Sequence, residues 1–403
     1  MLNAWFYDGI RTPFGRHGGA LSSLRPDDML AEVLRNLVAR NPFAPELYED
    51  VVAGNTNQAG EDARNVARHA GLLAGLPVSV AGITVNRLCG SGLAATLDAA
   101  RMVSVNEADL VLAAGVESMS RAPFVVAKNE QAFSRQFNVF DSTIGARFPN
   151  PKVEAEFGAD SMPETAQNIA DELGISRAQA DAFALQSQQR YEDARQAGFF
   201  ADEIMPLEVL KGRKKISEMV TADEHPRANS SLEALAGLRP IVPEGIITAG
   251  NASGVNDGAG ALIIGSREAG EKAGLAPRAR LLAGAVAGVP PRLMGLGPVP
   301  ACEKALARAG LTLADMDVIE INEAFAAQVL GCAKQMGIAG NDERLNPNGG
   351  AIAVGHPLGA SGIRLVLTAI RQLERSQGRY ALVSLCIGLG QGVALVIERT
   401  ANA

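Results

Sequence analysis

Apolar and polar positions fall into the same succession of elements twice along this chain. "EDVVAGN" (49–55) and "MDVIEIN" (316–322) are each a short apolar run closed by asparagine. Both predict a buried strand that ends in a loop. "SGLAATLDAARMV" (91–103) and "SGIRLVLTAIRQL" (361–373) follow, 270 residues apart. Leu93, Leu97, Ala100 and Val103 in the first match Ile363, Leu367, Ile370 and Leu373 in the second. That spacing marks one face of an α-helix. "DLVLAAG" (109–115) and "YALVSLC" (380–386), 271 residues apart, are continuous apolar runs of the kind buried strands show. A last strand is shared by "GALIIGS" (260–266) and "GVALVIE" (392–398).

The repeat predicts an architecture. Two βαβ-rich halves each leave an apolar face that must be covered. The expected fold class is α/β, with the halves packed in layers, α/β/α/β/α, and helices between two sheets. The first half carries an insertion between its third and last strands. Expected domains are 1–121 plus 251–274, an inserted lobe 122–250, and a second half 275–403. Within the insertion, "SMPETAQNIADELGISRAQADAFALQSQQRYEDARQAG" reads as two helices. The first begins near Pro163 and ends at "LGIS"; the second stops at Gly198.

Composition narrows the class. The chain has 403 residues, 47% hydrophobic and 20% charged, with 43 glycines and a net charge of −7. A globular enzyme is expected, and the acidic balance disfavours a nucleic-acid partner. No apolar run is long enough for a membrane span. The start, "MLNAWFYDGIRTPFG", lacks the pattern of a secretory signal. Cys89, Cys302, Cys332 and Cys386 are far apart, without CxxC spacing. Neither a metal site nor a disulfide framework is indicated, and reduced thiols in a cytoplasmic protein are expected.

The repeat also singles out candidate chemistry. Just upstream of the two "SG" pairs stand Cys89, in "NRLCGSG", and His356, in "GGAIAVGHPLGASG". Both precede a helix start, where free N–H groups favour negative charge. A lowered pKa is expected for Cys89, and Pro357 suits a first helical turn. Asn322 and Cys386 each end a predicted strand, where functional groups of α/β folds collect. Convergence of Cys89, Asn322, His356 and Cys386 is expected. Taken singly, each has a plainer reading: an inert buried thiol, a structural histidine, a turn asparagine. Cys302 and Cys332 fall in helical patterns and carry no expected role. "GLGQG" is followed by a strand rather than a helix, so it is not a dinucleotide loop.

"NRLCGSG", "NEAFAAQ", "NPNGGAIAVGHPLGASG" and "CIGLGQG" together resemble the thiolases, acyl-CoA C-acyltransferases. "GIRTPFGR", "GVESMSRAPF" and "TAGNASGVNDGAGAL" extend the likeness over essentially the whole chain. The resemblance implies two repeated halves with a loop domain that binds CoA as co-substrate, no tightly bound cofactor and no metal. It implies Cys89 as the acyl-carrying nucleophile, activated by His356, and Cys386 as the acid/base at the α-carbon. Asn322 would hold a water in one oxyanion hole; the N–H groups of Cys89 and Gly388 would form the other. Arg227 would face the nucleotide phosphates, Ser253 the pantetheine arm, and Met162, Met294 and Phe325 its tunnel. The basic run "KGRKK" (211–215) is a weaker phosphate candidate, and a solvated loop is its plainer reading. A homotetramer built as a dimer of dimers is implied.

Three departures from the short-chain pattern bear on substrate: Ser161-Met162, Leu389 in "CIGLGQG", and "NQAGEDARNVAR" (57–68). They resemble the branch that cleaves 3-oxoadipyl-CoA with CoA to succinyl-CoA and acetyl-CoA in bacterial aromatic degradation. That substrate ends in a second carboxylate, which calls for a cation. Arg64 is the candidate, with Arg135 and Arg147 as rivals; an ion pair of Arg64 with Glu61 or Asp62 is the structural alternative. An acetoacetyl-CoA thiolase, a broad-range 3-ketoacyl-CoA thiolase and a non-catalytic acyl-CoA-binding protein remain open at this point.

Overall fold

The computed structural model describes residues 2–212 and 214–400. The predicted repeat forms one ten-stranded sheet. Its order is Val318–Ile321, Tyr380–Ile387, Gln391–Arg399, Ala279–Gly288, Ala4–Arg11, Asn256–Gly265, Leu110–Ser118, Asp50–Gly54, Ala81–Val85. Gly15–Arg16 adds a short pairing to Asn256–Gly265. Each half joins Asp50–Gly54 to Leu110–Ser118, or Val318–Ile321 to Tyr380–Ile387, in parallel. The next strand of each half returns antiparallel. Where two separate sheets were expected, Ala4–Phe6 pairs with Ala279–Leu281 and joins them along one edge. The sheet folds back on itself across this join.

Two helices fill the fold. Ser91–Ser104 and Leu358–Ser376 pack on each other and on strands of both halves. Leu93, Leu97, Leu367 and Leu373 are all but fully buried between them and the sheet. Burying each such side chain stabilises the fold by about 2 kcal/mol. Helices Pro26–Ala39 and Val66–Ala74 cover the outer face of the first half. Pro298–Ala309 and Ala326–Met336 cover that of the second. These make the five alternating layers.

The helix starts approach at backbone distance, and glycine is what permits it. A Cβ on Gly362 would stand 2.2 Å from the nitrogen of Leu93. A Cβ on Gly115 would stand 2.1 Å from the carbonyl oxygen of Gly359. The "SG" pair Ser361-Gly362 thus meets the start of the other central helix at backbone distance.

Residues 122–250 form two hairpins and four helices on the side of this core. The two helices read from sequence are Met162–Leu173 and Arg177–Gln196. Ser161 with Glu164 and Ser176 with Gln179 build a capping box at each start. Gly174 ends the first in the left-handed conformation. Of the "KGRKK" run, Lys211 pairs with Glu218 across an exposed hairpin; Arg213 lies outside the described residues. Cys302 and Cys332 lie buried in helices, as their patterns predict. No helix among the described residues is long and apolar enough to cross a membrane.

Candidate active site

Cys89 sits one residue before Gly90, the N-cap of Ser91–Ser104. It is the partly accessible member of the four cysteines. Leu88 before it holds φ +46°, which costs a leucine about 1 kcal/mol. Three hydrogen bonds hold that residue there. Its N–H donates to Asn86 Oδ1 at 2.9 Å, and its carbonyl accepts from Ser91 Oγ at 2.6 Å and Thr56 Oγ1 at 3.1 Å.

The lowered pKa expected for Cys89 is not what the fold produces. Burial and the nearby Glu117 carboxylate push the thiol up to about 11. The N–H groups of Gly388 and of Cys89 itself act on the sulfur in the opposite sense and lose to burial. With Cys89 a thiol at rest, attack by its sulfur would need a base.

His356 is the candidate for that task. Gly355, at φ +103°, turns the chain where a Cβ would strike Asn256. Asn256 Oδ1 in turn accepts the His356 N–H at 2.9 Å. Pro357 is the N-cap rather than part of the first turn. The Ser361 hydroxyl donates to the Pro357 carbonyl at 2.9 Å and lies 2.6 Å from His356 Nδ1. With its own proton committed, Ser361 accepts Nδ1–H, and Nε2 keeps its lone pair. Asn322 Nδ2 faces Nε2 at 3.4 Å. Burial, aided by the positive charge of Arg364, pushes His356 down to about 3. The imidazole is therefore neutral at neutral pH.

Cys386 is the penultimate residue of Tyr380–Ile387, and Asn322 follows Val318–Ile321 directly. Burial and the neighbouring sulfurs of Cys89 and Cys332 push the Cys386 thiol well above its ordinary value. Gly388 begins the turn after that strand. A Cβ there would lie 3.4 Å from Leu88 and 3.9 Å from Met162 Sδ. Leu389 follows at φ +64° and is exposed. The buried Oδ1 of Asn322 has no protein partner among the described residues. Cys89, Gly388 and Cys386 lie together, and Asn322, whose backbone N–H donates to the Ser384 carbonyl two residues from Cys386, faces His356.

The other sequence-predicted residues have the following surroundings. Met162 opens its helix beside Gly388. Met294 and Phe325 are buried in one apolar cluster. Ser253 N–H donates to the Ala324 carbonyl at 2.9 Å, next to Phe325. Arg227 lines a cavity of about 470 Å³ with Gln188, His225, Ser230 and Ile352. His225 packs on Gly254. Burial and the charge of Arg227 push His225 down to about 4.

Arg64 is exposed, at φ +68°. Its alternative partners are taken: Glu61 pairs with Arg25 and Arg121. Asp62 accepts from Asn55 Nδ2 and the Gly60 N–H. Arg147 bonds the carbonyls of Asn57 and Ser142, and Arg135 lies in an exposed stretch. No cluster of His, Cys, Asp or Glu among the described residues is arranged to hold a metal.

Sequence reasoning missed Glu117, His225, Asn256 and Ser361. Glu117 lay inside the quoted "GVESMSRAPF", and His225 stands two residues from Arg227. Ser361 had served only to align the repeats. Glu117, His225 and Asn256 take their partners from other segments, and Ser361 meets His356 only through the helical turn.

Two thiols, a neutral imidazole and paired N–H groups at the joint of a duplicated α/β core define a class. The chain belongs to the thiolase family: residues 6–268 match the thiolase N-terminal domain and 275–399 the thiolase C-terminal domain. It is 58% identical over 401 residues to the 3-oxoadipyl-CoA/3-oxo-5,6-dehydrosuberyl-CoA thiolase of Escherichia coli (strain K12), covering 99% of this chain and 100% of that one. It is 56% identical over 394 residues to the beta-ketoadipyl-CoA thiolase of Pseudomonas aeruginosa PAO1, covering 97% and 98%. A crystal structure of human mitochondrial 3-ketoacyl-CoA thiolase in complex with CoA superposes with a TM-score of 0.91 at 40% identity, covering 99% and 98%.

Proposed function

We propose that this protein cleaves 3-oxoadipyl-CoA with CoA, giving succinyl-CoA and acetyl-CoA by a ping-pong route through an acyl-Cys89. The observation that carries the reading is Cys89 beside Cys386 and the Gly388 N–H, with Asn322, at the end of the strand paired to that of Cys386, facing the His356 imidazole. His356 Nε2 takes the Cys89 proton, and the thiolate attacks the 3-keto carbon. The developing oxyanion is met by the N–H groups of Cys89 and Gly388. The C2–C3 bond breaks, and the acetyl-CoA enolate takes the Cys386 proton at its α-carbon. Asn322, with a water on its free Oδ1, and His356 stabilise that enolate oxygen. The thiol of incoming CoA returns a proton to Cys386 and attacks the acyl carbon. Cys89 leaves and recovers its proton from His356. Two thiols are needed because acylation occupies the first.

The cavity beside Arg227 supports 122–250 as a CoA-binding lobe, with Ser253, Met162, Met294 and Phe325 along the arm. Arg64 is the partner for the distal carboxylate of the substrate. Its lack of an ion pair among the described residues supports this, as does a loop bonded to Leu88 beside the nucleophile. The reading extends to a cytoplasmic homotetramer. The partly exposed edge strand Ala81–Val85 and the apolar hairpin around Phe124 and Val139 support contacts between copies.

The test is thiolysis of 3-oxoadipyl-CoA and acetoacetyl-CoA by wild type, C89A, C386A and R64A. The cysteine variants lose turnover on both, and R64A loses kcat/KM on the dicarboxylic substrate alone. Equal loss by R64A on both substrates would sink the Arg64 assignment. Preference of the wild type for acetoacetyl-CoA would sink the substrate.

A further inference from the structure

Glu117 is buried, yet no cation pairs with it among the described residues. Its carboxylate accepts four N–H bonds instead. Oε2 accepts from the backbone of Thr56 at 3.0 Å and Gly359 at 2.9 Å. Oε1 accepts from the backbone of Asn57 at 3.0 Å and Asn55 Nδ2 at 3.4 Å. Asp62 stands beside it and adds repulsion, while burial pushes the carboxyl up to about 7. A charge desolvated this far destabilises the fold unless its bonds return the cost.

The repeat shows what the bonds do. Gly359 is the residue 270 positions after Cys89, and Gly388 is 271 after Glu117. Asn55 is the counterpart of Asn322 in the matched strand ends. The N–H groups of Cys89, from the first half, and Gly388, from the second, act on the Cys89 sulfur, and Asn322 faces His356. The N–H of Gly359, from the second half, and the amide of Asn55, from the first, bind the Glu117 carboxylate. The counterparts of one donor from each proposed oxyanion hole, Gly359 for Cys89 and Asn55 for Asn322, are thus held by the protein's own carboxylate.

That carboxylate ties three segments together. Gly359 lies in the first turn of the helix that follows His356. Thr56 bonds Glu117 through its N–H and the Leu88 carbonyl through its hydroxyl. Strand Leu110–Ser118 carries Glu117 itself, opposite Gly258 of the neighbouring strand. From these contacts we infer that Glu117 is a positioning residue: bound by these four N–H groups, it fixes the distance between the Cys89 loop and the His356 helix. The inference rests on the thiolase reading of the site above.

Two variants test it in the full-length protein. E117Q keeps the length and removes the charge; E117D keeps the charge and shortens the reach. E117Q leaves one acceptor oxygen for two pairs of N–H donors and E117D draws both oxygens back from Gly359, so kcat for thiolysis falls about 100-fold, as expected for a displacement near 1 Å, while KM for CoA holds. Alkylation of Cys89 by iodoacetamide, followed by mass spectrometry across pH, separates charge from packing. In E117Q the alkylation midpoint moves to lower pH, because a carboxylate that raised it is gone. In E117D it stays. A folded variant of either kind with wild-type kcat overturns the inference, as does an unmoved midpoint in E117Q. If E117Q does not melt cooperatively, E117D decides through kcat. The alkylation readout needs no turnover, so a failure of the substrate reading remains distinguishable.

Discussion

Replacing Gly362 by alanine tests whether helix spacing sets the site. A Cβ there would lie 2.2 Å from Leu93 N, 2.7 Å from Gly92 C and 3.0 Å from Gly92 Cα. All three are backbone atoms at the start of the Cys89 helix, so no side chain can turn aside. Ordinary contact is about 3.5 Å, so the two helices must part by about 1 Å. Overpacking of this kind costs about 1–3 kcal/mol, which lowers Tm by several degrees without preventing folding. The effect on rate is larger. Gly362 lies six residues after His356 and Leu93 four after Cys89, so the opening displaces base from nucleophile. About 1 Å of misplacement costs about 100-fold. Steady-state thiolysis with a melting curve measures both quantities. G237A serves as control, because a Cβ on Gly237 meets nothing closer than 3.6 Å. A folded G362A with kcat within about threefold of wild type would refute the argument, since a 1 Å displacement predicts far more.

Other outcomes follow from buried charge. Arg364 and Glu320 form a nearly solvent-free pair at 3.1 Å. R364M leaves the carboxylate unpaired and should cost about 3–5 kcal/mol in urea unfolding, whereas R364M/E320M should recover most of it; an R364M as stable as wild type would remove the pair from the account. His225 and His356 are held neutral, at about 4 and about 3. The unfolded chain binds protons at these rings below pH 6.5 while the folded one does not, so stability present above pH 6.5 is lost as pH falls. Tm should drop between pH 6.5 and 4, and H225Q should flatten that slope; an unchanged slope would exclude His225 as a source. Because His356 does not charge until far below neutrality, the acid limb of kcat/KM should not track an imidazole pKa near 6.5.

Much of the fold was legible because the chain states it twice. Ser91-Gly92 and Ser361-Gly362 marked both central helices, and the apolar runs ending at Gly115 and Cys386 marked matching strands. The join between the half-sheets was not legible. Ala4–Phe6 and Ala279–Leu281 lie far apart in sequence, and apolar periodicity does not specify a pairing partner. At the site, Cys89, His356, Asn322 and Cys386 could be named because each stands at a repeat position next to an element end. Their company could not: Ser361 lies next to His356 only through the helical turn, and Glu117 reaches Gly359 only across the halves.

Sequence alone determined which elements form, which faces they bury and which residue types stand at their ends. Periodicity, glycine and capping residues are local signals that survive without a fold. Protonation was decided by tertiary structure. A cysteine before a helix start predicts a reactive thiolate, yet enclosure between the halves and the charge of Glu117 hold Cys89 as a thiol. The same enclosure keeps His356 neutral. Desolvation depends on everything packed around a group, and no short stretch of sequence encodes that.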